Sequence, residues 1–354
     1  MHTLESIINS ITPVSQESTD KAREKLEQLA MPSWALGDLM DCSLKLASIY
    51  NTTSPNTSKK CTVVMAADHG IYDEGFHSFP QAVTQAMVKT MLAGGAGINA
   101  ISKQAGSELY IADMGIKADM NTDYCEQFEN LSVAKGSQNF VQEKAMSREQ
   151  AEQSIIRGYE YGLKLCKSYD VFAIGEMGIA NTASSSALIS VLCKESVSIC
   201  TGRGTGIDDQ ALQKKIHCIE TALKHHQPNE QDVIDCLSKV GGFEIGGMAG
   251  FMLACASSNK AIILDGLIST AAALIAYGLN PKVTDYMFAG HQSVEPGHHY
   301  ALKKLGLIPL LDLNLRLGEA TGATLAFNLL DAASNLLTDV MSLDRALEFM
   351  PKPS

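Results

Sequence analysis

The chain has 354 residues, 45% of them hydrophobic, and carries 28 basic against 39 acidic side chains for a formal net charge of −11. That length exceeds the usual single-core limit of about 250–300 residues, so a large domain with a smaller one appended is expected. The acidity argues against nucleic acid or an anionic membrane surface as partner, and nine cysteines without a CxxC pair or zinc-ligand spacing read as buried thiols of a cytoplasmic protein.

Along the chain, the N-terminal MHTLESIINSI lacks the basic and apolar regions of a signal peptide. Residues 18–50 hold two helical patterns on either side of MPSW, and NTTSPNTSKK (51–60) reads as a polar linker. Short apolar or β-branched runs then alternate with helical patterns. Strands are predicted at 61–67, 108–113, 170–175, 260–265, 285–290 and 308–313, with helices at 147–167, 181–193, 207–226 and 268–278. Residues 320–349 are again helical. The alternation predicts an α/β fold with a parallel sheet covered by helices on both faces. The two termini (1–50 with 320–354) are expected to form a small helical domain beside the large α/β domain of 51–319. Ala261 to Leu279, the longest apolar stretch, is broken by Asp265, Ser269 and Thr270 and fits a buried strand and helix better than a membrane span.

Polar groups recur just past the predicted strands: Asp68-His69-Gly70, Asp113 and Gly115, Glu176 with Gly178 and Asn181, Asp265-Gly266, and His291 with Ser293. This is the edge at which open α/β sheets build a ligand crevice. Taken singly, Asp68 and Asp265 can cap the following helices, and His69 and His291 can be hydrogen-bonded structural histidines. The adjacent His298 and His299 have poor geometry for joint metal ligation, and no metal is expected.

Two glycine-rich stretches suit an anion. GEMGIANT passes from a strand into a helix whose N-terminus can cradle one. GRGTG (202–206) precedes a helix carrying Lys214 and Lys215. Neither matches GxGxxG or the P-loop pattern, so a phosphate monoester fits better than a dinucleotide or a triphosphate. Glu319, in RLGEATGA, stands between two apolar stretches. It reads equally as a carboxylate favoured by the dipole of the helix beginning near Ala320, worth about 0.3–1 kcal/mol, and as a general base whose apolar flanks raise its pKa.

VMAADHGIYDEG, GEMGIANT, GRGTG, LSKVGGFEIGGMAGFML, AIILDG and RLGEATGA follow one another in the order and spacing of the nicotinate-nucleotide:dimethylbenzimidazole phosphoribosyltransferases, which the chain resembles over nearly its whole length. The resemblance implies a Rossmann-like large domain with a small helical domain built from both termini, and phosphoribosyl transfer from nicotinate mononucleotide to a lower-ligand base. It further implies a dimer that needs no metal or redox cofactor. By position, Glu319 is similar to the family's general base and Glu176 to its acidic residue near the ribose. Gly178, Asn181, Gly202, Gly204 and Lys215 resemble the phosphate cradle, and Asp265 and Ser293 line the same crevice.

The departures concern the acceptor. Phe79 and Met87 in HSFPQAVTQAM stand where benzimidazole-using members usually carry serine and glutamine, and Met177 replaces a common leucine. With Leu317 they form an expected base pocket that is apolar and polarizable, similar to the branch that attaches phenol or p-cresol. MPSWALG (31–37), in place of a KPPGSLG-like loop, resembles one chain of a heterodimer of paralogues. An ordinary benzimidazole enzyme and a weakly active partner subunit are the alternatives.

Overall fold

A computed structural model describes residues 2–120 and 125–351; the last residues assigned to the terminal domain, 352–354, lie outside the described residues. Six strands form one sheet: β1 (Lys60–Ala67), β2 (Ser107–Gly115), β3 (Phe128–Asn130), β4 (Val171–Met177), β5 (Ala261–Leu264) and β6 (Met287–Ala289). Their order is β3-β2-β1-β4-β5-β6 and every pairing is parallel. The strand order reverses between β1 and β4, which opens a crevice beyond their carboxyl ends.

The near-continuous apolar runs of these strands follow from burial on both faces. In β1, Cys61, Val63, Met65 and Ala67 enter one core while the alternate Val64 and Ala66 enter another. Helices Arg148–Cys166 and Phe243–Ser257 pack on the first face, and Val83–Leu92 and Gly97–Ala105 cover the second. Each fully buried Val, Ile or Phe contributes about 1.5–3 kcal/mol of hydrophobic stabilisation. The inward Thr62 is satisfied by the hydroxyls of Ser107 at 2.8 Å and Thr324 at 3.1 Å, which ties the late helix Thr321–Leu325 to the sheet.

One predicted strand is absent from the structure, and one observed strand is not among those predicted. Residues 308–313 are not a strand. Pro309 makes a single bridge to Ala289, and the segment continues as a strap with Ile308 and Leu313 exposed, because proline removes a ladder donor. The short β3 carries no apolar alternation and is held by parallel pairing with Ile111 to Asp113.

Near the termini, Gln16–Glu27 and Asp38–Tyr50 pack against Phe327–Thr338 around Ala22, Leu26, Met40, Leu44, Leu336 and Leu337. Ile7 of the first helix instead enters the main core. Met31 and Trp34 pack against the terminal cluster, where the Trp34 indole donates to Asp41 at 3.2 Å. Among the described residues no helix is long and apolar enough to cross a membrane.

Candidate active site

At the switch between β1 and β4, a cleft of about 710 Å³ is lined by Glu176, Gly178, Asn181, Asp265, Ser293 and Leu317 among others. A contiguous cleft of about 430 Å³ shares Gly178, Asn181 and Gly204 and adds Phe79 and Lys215. Residues separated by more than a hundred positions meet here because the ends of several strands, the strap, the GRGTG loop and helix Asp209–His226 converge on one crevice.

One end is built for an anion. β4 ends at Met177, and Ala180, in the left-handed region at φ 76°, turns the chain into helix Asn181–Cys193. That helix therefore presents its N-terminal N–H groups to the cleft. Lys215, from helix Asp209–His226, is 1% exposed; its ammonium donates to Thr182 Oγ1 at 2.9 Å and to the Gly202 carbonyl at 3.0 Å. Burial lowers its pKa to about 8, and the Glu295 carboxylate opposes that fall. Lys214, next to it, is exposed.

The other end gathers carboxyls. Glu176, near the end of β4, is buried, and Asn181 Nδ2 donates to its Oε2. Burial, reinforced by the neighbouring Glu244, Asp265 and Glu319, outweighs that hydrogen bond and pushes its pKa up to about 8. Glu319 occupies a turn with three successive left-handed residues: Gly318 (φ 85°), Glu319 (φ 60°) and Ala320 (φ 62°). Such backbone costs about 1–2 kcal/mol per non-glycine residue and persists where the surroundings impose it. Here the Glu319 N–H donates to the Glu176 carbonyl at 3.2 Å, and a Cβ at Gly318 would lie 2.6 Å from Glu176 Oε1. The Glu319 carboxyl is buried beside this wall rather than lining the cleft. Burial and Asp265 raise its pKa, the Ile98 N–H lowers it, and its Oε2 has no partner. The helix N-terminus that favours this carboxylate is thus that of Gly97–Ala105, not the one beginning near Ala320.

Asp265 takes the latter place: its Oδ1 accepts from the N–H groups of Gly322 at 2.7 Å and Ala323 at 3.1 Å. It caps a helix more than fifty residues downstream instead of the one that follows it. Burial pushes His291 down, but Asp265, 3.5 Å from its Nε2, outweighs this and raises its pKa. His69 lies wholly inside, between Ser184 Oγ at 3.0 Å and Glu244 Oε1 at 2.7 Å. His298 accepts from the Ser293 N–H at 3.0 Å and meets Thr270 Oγ1 at 3.0 Å, with burial lowering its pKa to about 3. It serves as a buried neutral acceptor. No cluster of three metal-ligating side chains occurs among the described residues.

Of the four residues expected to form a base pocket, Phe79, Met177 and Leu317 line the clefts. Met87 is half-buried and packs against the apolar cluster that contains Met177, Ile179 and Ala320. Gly202 faces the adjoining outer groove with Arg203 and Glu295. Thr182, Glu295 and Arg316 also line the site and were not singled out from sequence. Glu295 lies only two residues beyond Ser293, further from its strand than the pattern of polar residues just past strands extends.

The fold and this cleft define an open α/β protein with an anion-receptive crevice facing a carboxylate cluster. A phosphoribosyltransferase family model matches residues 11–347. The nicotinate-nucleotide–dimethylbenzimidazole phosphoribosyltransferase of Desulfotalea psychrophila is 42% identical over 99% of this chain and all of its own length; that of Syntrophotalea carbinolica is 44% identical over 98% of each. A crystal structure of the same-named enzyme from Thermus thermophilus superposes with a TM-score of 0.89 at 34% identity, covering 95% of this chain and 100% of that one. The chain belongs to the nicotinate-nucleotide–dimethylbenzimidazole phosphoribosyltransferase family, and it is a phosphoribosyltransferase.

Proposed function

We propose that the chain transfers the phosphoribosyl group of nicotinate mononucleotide to an aromatic lower-ligand base, with phenol or p-cresol preferred, for assembly of the cobamide nucleotide loop. Nicotinate is released and an α-linked ribotide is formed. The observation that carries this reading is the polarity of one cleft, with a buried ammonium and a helix N-terminus at one end and buried carboxyls at the other. The donor has the complementary polarity: its phosphate is anionic, and the ribose carbon bonded to the pyridinium gains positive charge as that bond breaks.

In this reading Lys215, Gly178, Asn181, Gly202 and Gly204 hold the phosphate, while Glu176 and Ser293 face the ribose and Asp265 lines the same crevice. Glu319, buried just behind the Gly318 turn that lines the cleft, takes the hydroxyl proton of the acceptor as its oxygen bonds to the anomeric carbon, a step that requires this turn to admit the acceptor to the carboxyl. The electron pair of the breaking carbon–nitrogen bond goes to the departing nicotinate. The balance closes without a metal or redox co-reactant. A free phenol, with a pKa of about 10, is a weak nucleophile at neutral pH, so a base of raised pKa at this point serves the step. Attack opposite the leaving group inverts the anomeric centre and makes positioning a large share of the acceleration.

The apolar Phe79, Met177 and Leu317 that line the clefts support a phenolic acceptor, which offers one polar atom and otherwise needs a polarizable wall. A benzimidazole acceptor is the second reading, favoured by the names of the relatives at 42–44% identity. The test is product formation by the purified chain with nicotinate mononucleotide and, in parallel, phenol, p-cresol and 5,6-dimethylbenzimidazole, with the ribotide identified by mass. A phenolic ribotide as main product is expected; a main product from dimethylbenzimidazole would transfer the conclusion to the second reading. The expectation of a paralogous partner rests on the Met31–Gly37 loop, and absence of any product from the folded chain alone would favour it.

A further inference from the structure

Glu295 has no assigned part in the reaction, yet its buried carboxyl is held in place on the wall between the two ends. The residue is 7% exposed, and its Oε1 accepts from the Gly204 N–H at 2.8 Å. Its Oε2 is buried without a partner. The carboxyl lies so close to Gly202 that any Cβ there would overlap it. Glu295 borders both the main cleft and the outer groove, beside Ser293, whose hydroxyl accepts from the Glu295 N–H at 3.3 Å.

A carboxylate beside an anion cradle opposes phosphate binding unless it meets something else on the ligand. A buried, unpaired acceptor is costly and is tolerated where a ligand completes it. On a phosphoribosyl group the phosphate and ring oxygens only accept hydrogen bonds; the hydroxyls alone donate. We infer that Glu295 is a donor-specificity residue: Oε1 clasps the GRGTG loop, and Oε2 accepts from a ribose hydroxyl of the donor nucleotide. This inference rests on the nicotinate mononucleotide reading above. Under it the site requires a ribosyl donor and rejects deoxyribosyl ones.

The test compares nicotinate mononucleotide with its 2′-deoxy and 3′-deoxy analogues by calorimetric binding and by turnover, in the unaltered protein and in Glu295→Gln. The glutamine carbonyl can keep the Gly204 contact, while its NH₂ replaces the free acceptor with a donor. The unaltered protein is expected to favour the ribosyl donor over at least one analogue by about 10- to 100-fold, and Glu295→Gln to reduce that preference to within about threefold. Turnover of nicotinate mononucleotide with no preference in the unaltered protein, or with the same preference in both proteins, overturns the hydroxyl assignment alone. An unaltered protein that neither binds nor turns over nicotinate mononucleotide overturns the donor reading, and the hydroxyl assignment with it. If Glu295→Gln fails to fold by circular dichroism, the unaltered protein's preference decides by itself.

Discussion

The two ends of the cleft are electrostatically incomplete in opposite senses. At one, Lys215 is buried with its hydrogen bonds going to a threonine hydroxyl and a carbonyl rather than to a carboxylate. At the other, Asp265 raises the proton affinity of both Glu176 and Glu319, Glu319 adds to that of Glu176, and His291 is the neighbouring base. A fold shaped for stability alone would pair these charges, since an uncompensated buried charge is destabilising. Keeping them apart leaves each end to be completed by a ligand, which is the pattern expected of a functional site.

The largest effect should come from the carboxylate end. Glu319→Gln removes the proposed proton acceptor, and turnover is expected to fall by roughly 10²–10⁴ while binding of nicotinate mononucleotide stays within a few-fold. Unchanged turnover would remove Glu319 from the mechanism. At the opposite end, Lys215→Met deletes a charge-assisted contact to phosphate, so the KM for nicotinate mononucleotide should rise by about 10- to 150-fold. The split between kcat and KM in these two variants is the direct measure of whether the two ends do different work.

Glu176 gives the comparison a pH signature. Its carboxyl has a pKa of about 8 in the folded protein against an ordinary value of 4.5. Below the ordinary value it is protonated in both states and its contribution is complete. As pH rises toward 8 only the unfolded chain ionises, so stability falls by about 1.4 kcal/mol per pH unit and levels off above the folded value. Glu176→Gln should flatten the fall of Tm between about pH 5 and 8, and a Tm profile parallel to that of the unaltered protein would show that Glu176 is ionised in the fold. A smaller change is expected from Phe79→Ser combined with Met87→Gln. By changing the Phe79 lining and the Met87 packing behind Met177, the pair should shift the ratio of benzimidazole to phenol products by about tenfold, the size that pocket contacts usually command. An unaltered ratio would return both side chains to a packing role.

Much of this arrangement is legible in the sequence because it depends on position relative to strands. The runs of β1, β2, β4, β5 and β6 are apolar through burial on both faces, and Glu176, Asp265 and Ser293 stand at or just past their carboxyl ends. Less legible is what backbone geometry decides. The strap at 308–313 has a strand's composition but runs along the sheet edge with Pro309, and β3 is held by its neighbour's backbone rather than by its own side chains. Which helix N-terminus a carboxylate serves is likewise hidden, since Asp265 caps the helix Thr321–Leu325 rather than the one that follows it in the chain. Glu295 escapes notice for the same reason, since its partners, Gly202 and Gly204, lie about ninety positions away.

Asp265 sharpens the comparison most finely, because it belongs to the carboxylate end by charge and to the scaffold by its hydrogen bonds. Asp265→Asn keeps an Oδ1 to accept from Gly322 and Ala323, so the turn that presents Glu319 should persist and kcat at neutral pH should stay within about threefold. What disappears is the negative charge that raises the Glu319 pKa and holds that of His291 up. Removing a like charge favours the ionised form of Glu319. The acidic limb of the pH–rate profile should therefore move to lower pH if Glu319 is the base that limb reports. A limb that stays in place, with kcat preserved, would mean that Asp265 acts on the site through shape alone and that another group sets the limb. A fall in kcat of a hundredfold or more with Tm unchanged would instead put the Asp265 carboxylate in contact with the reacting ribose.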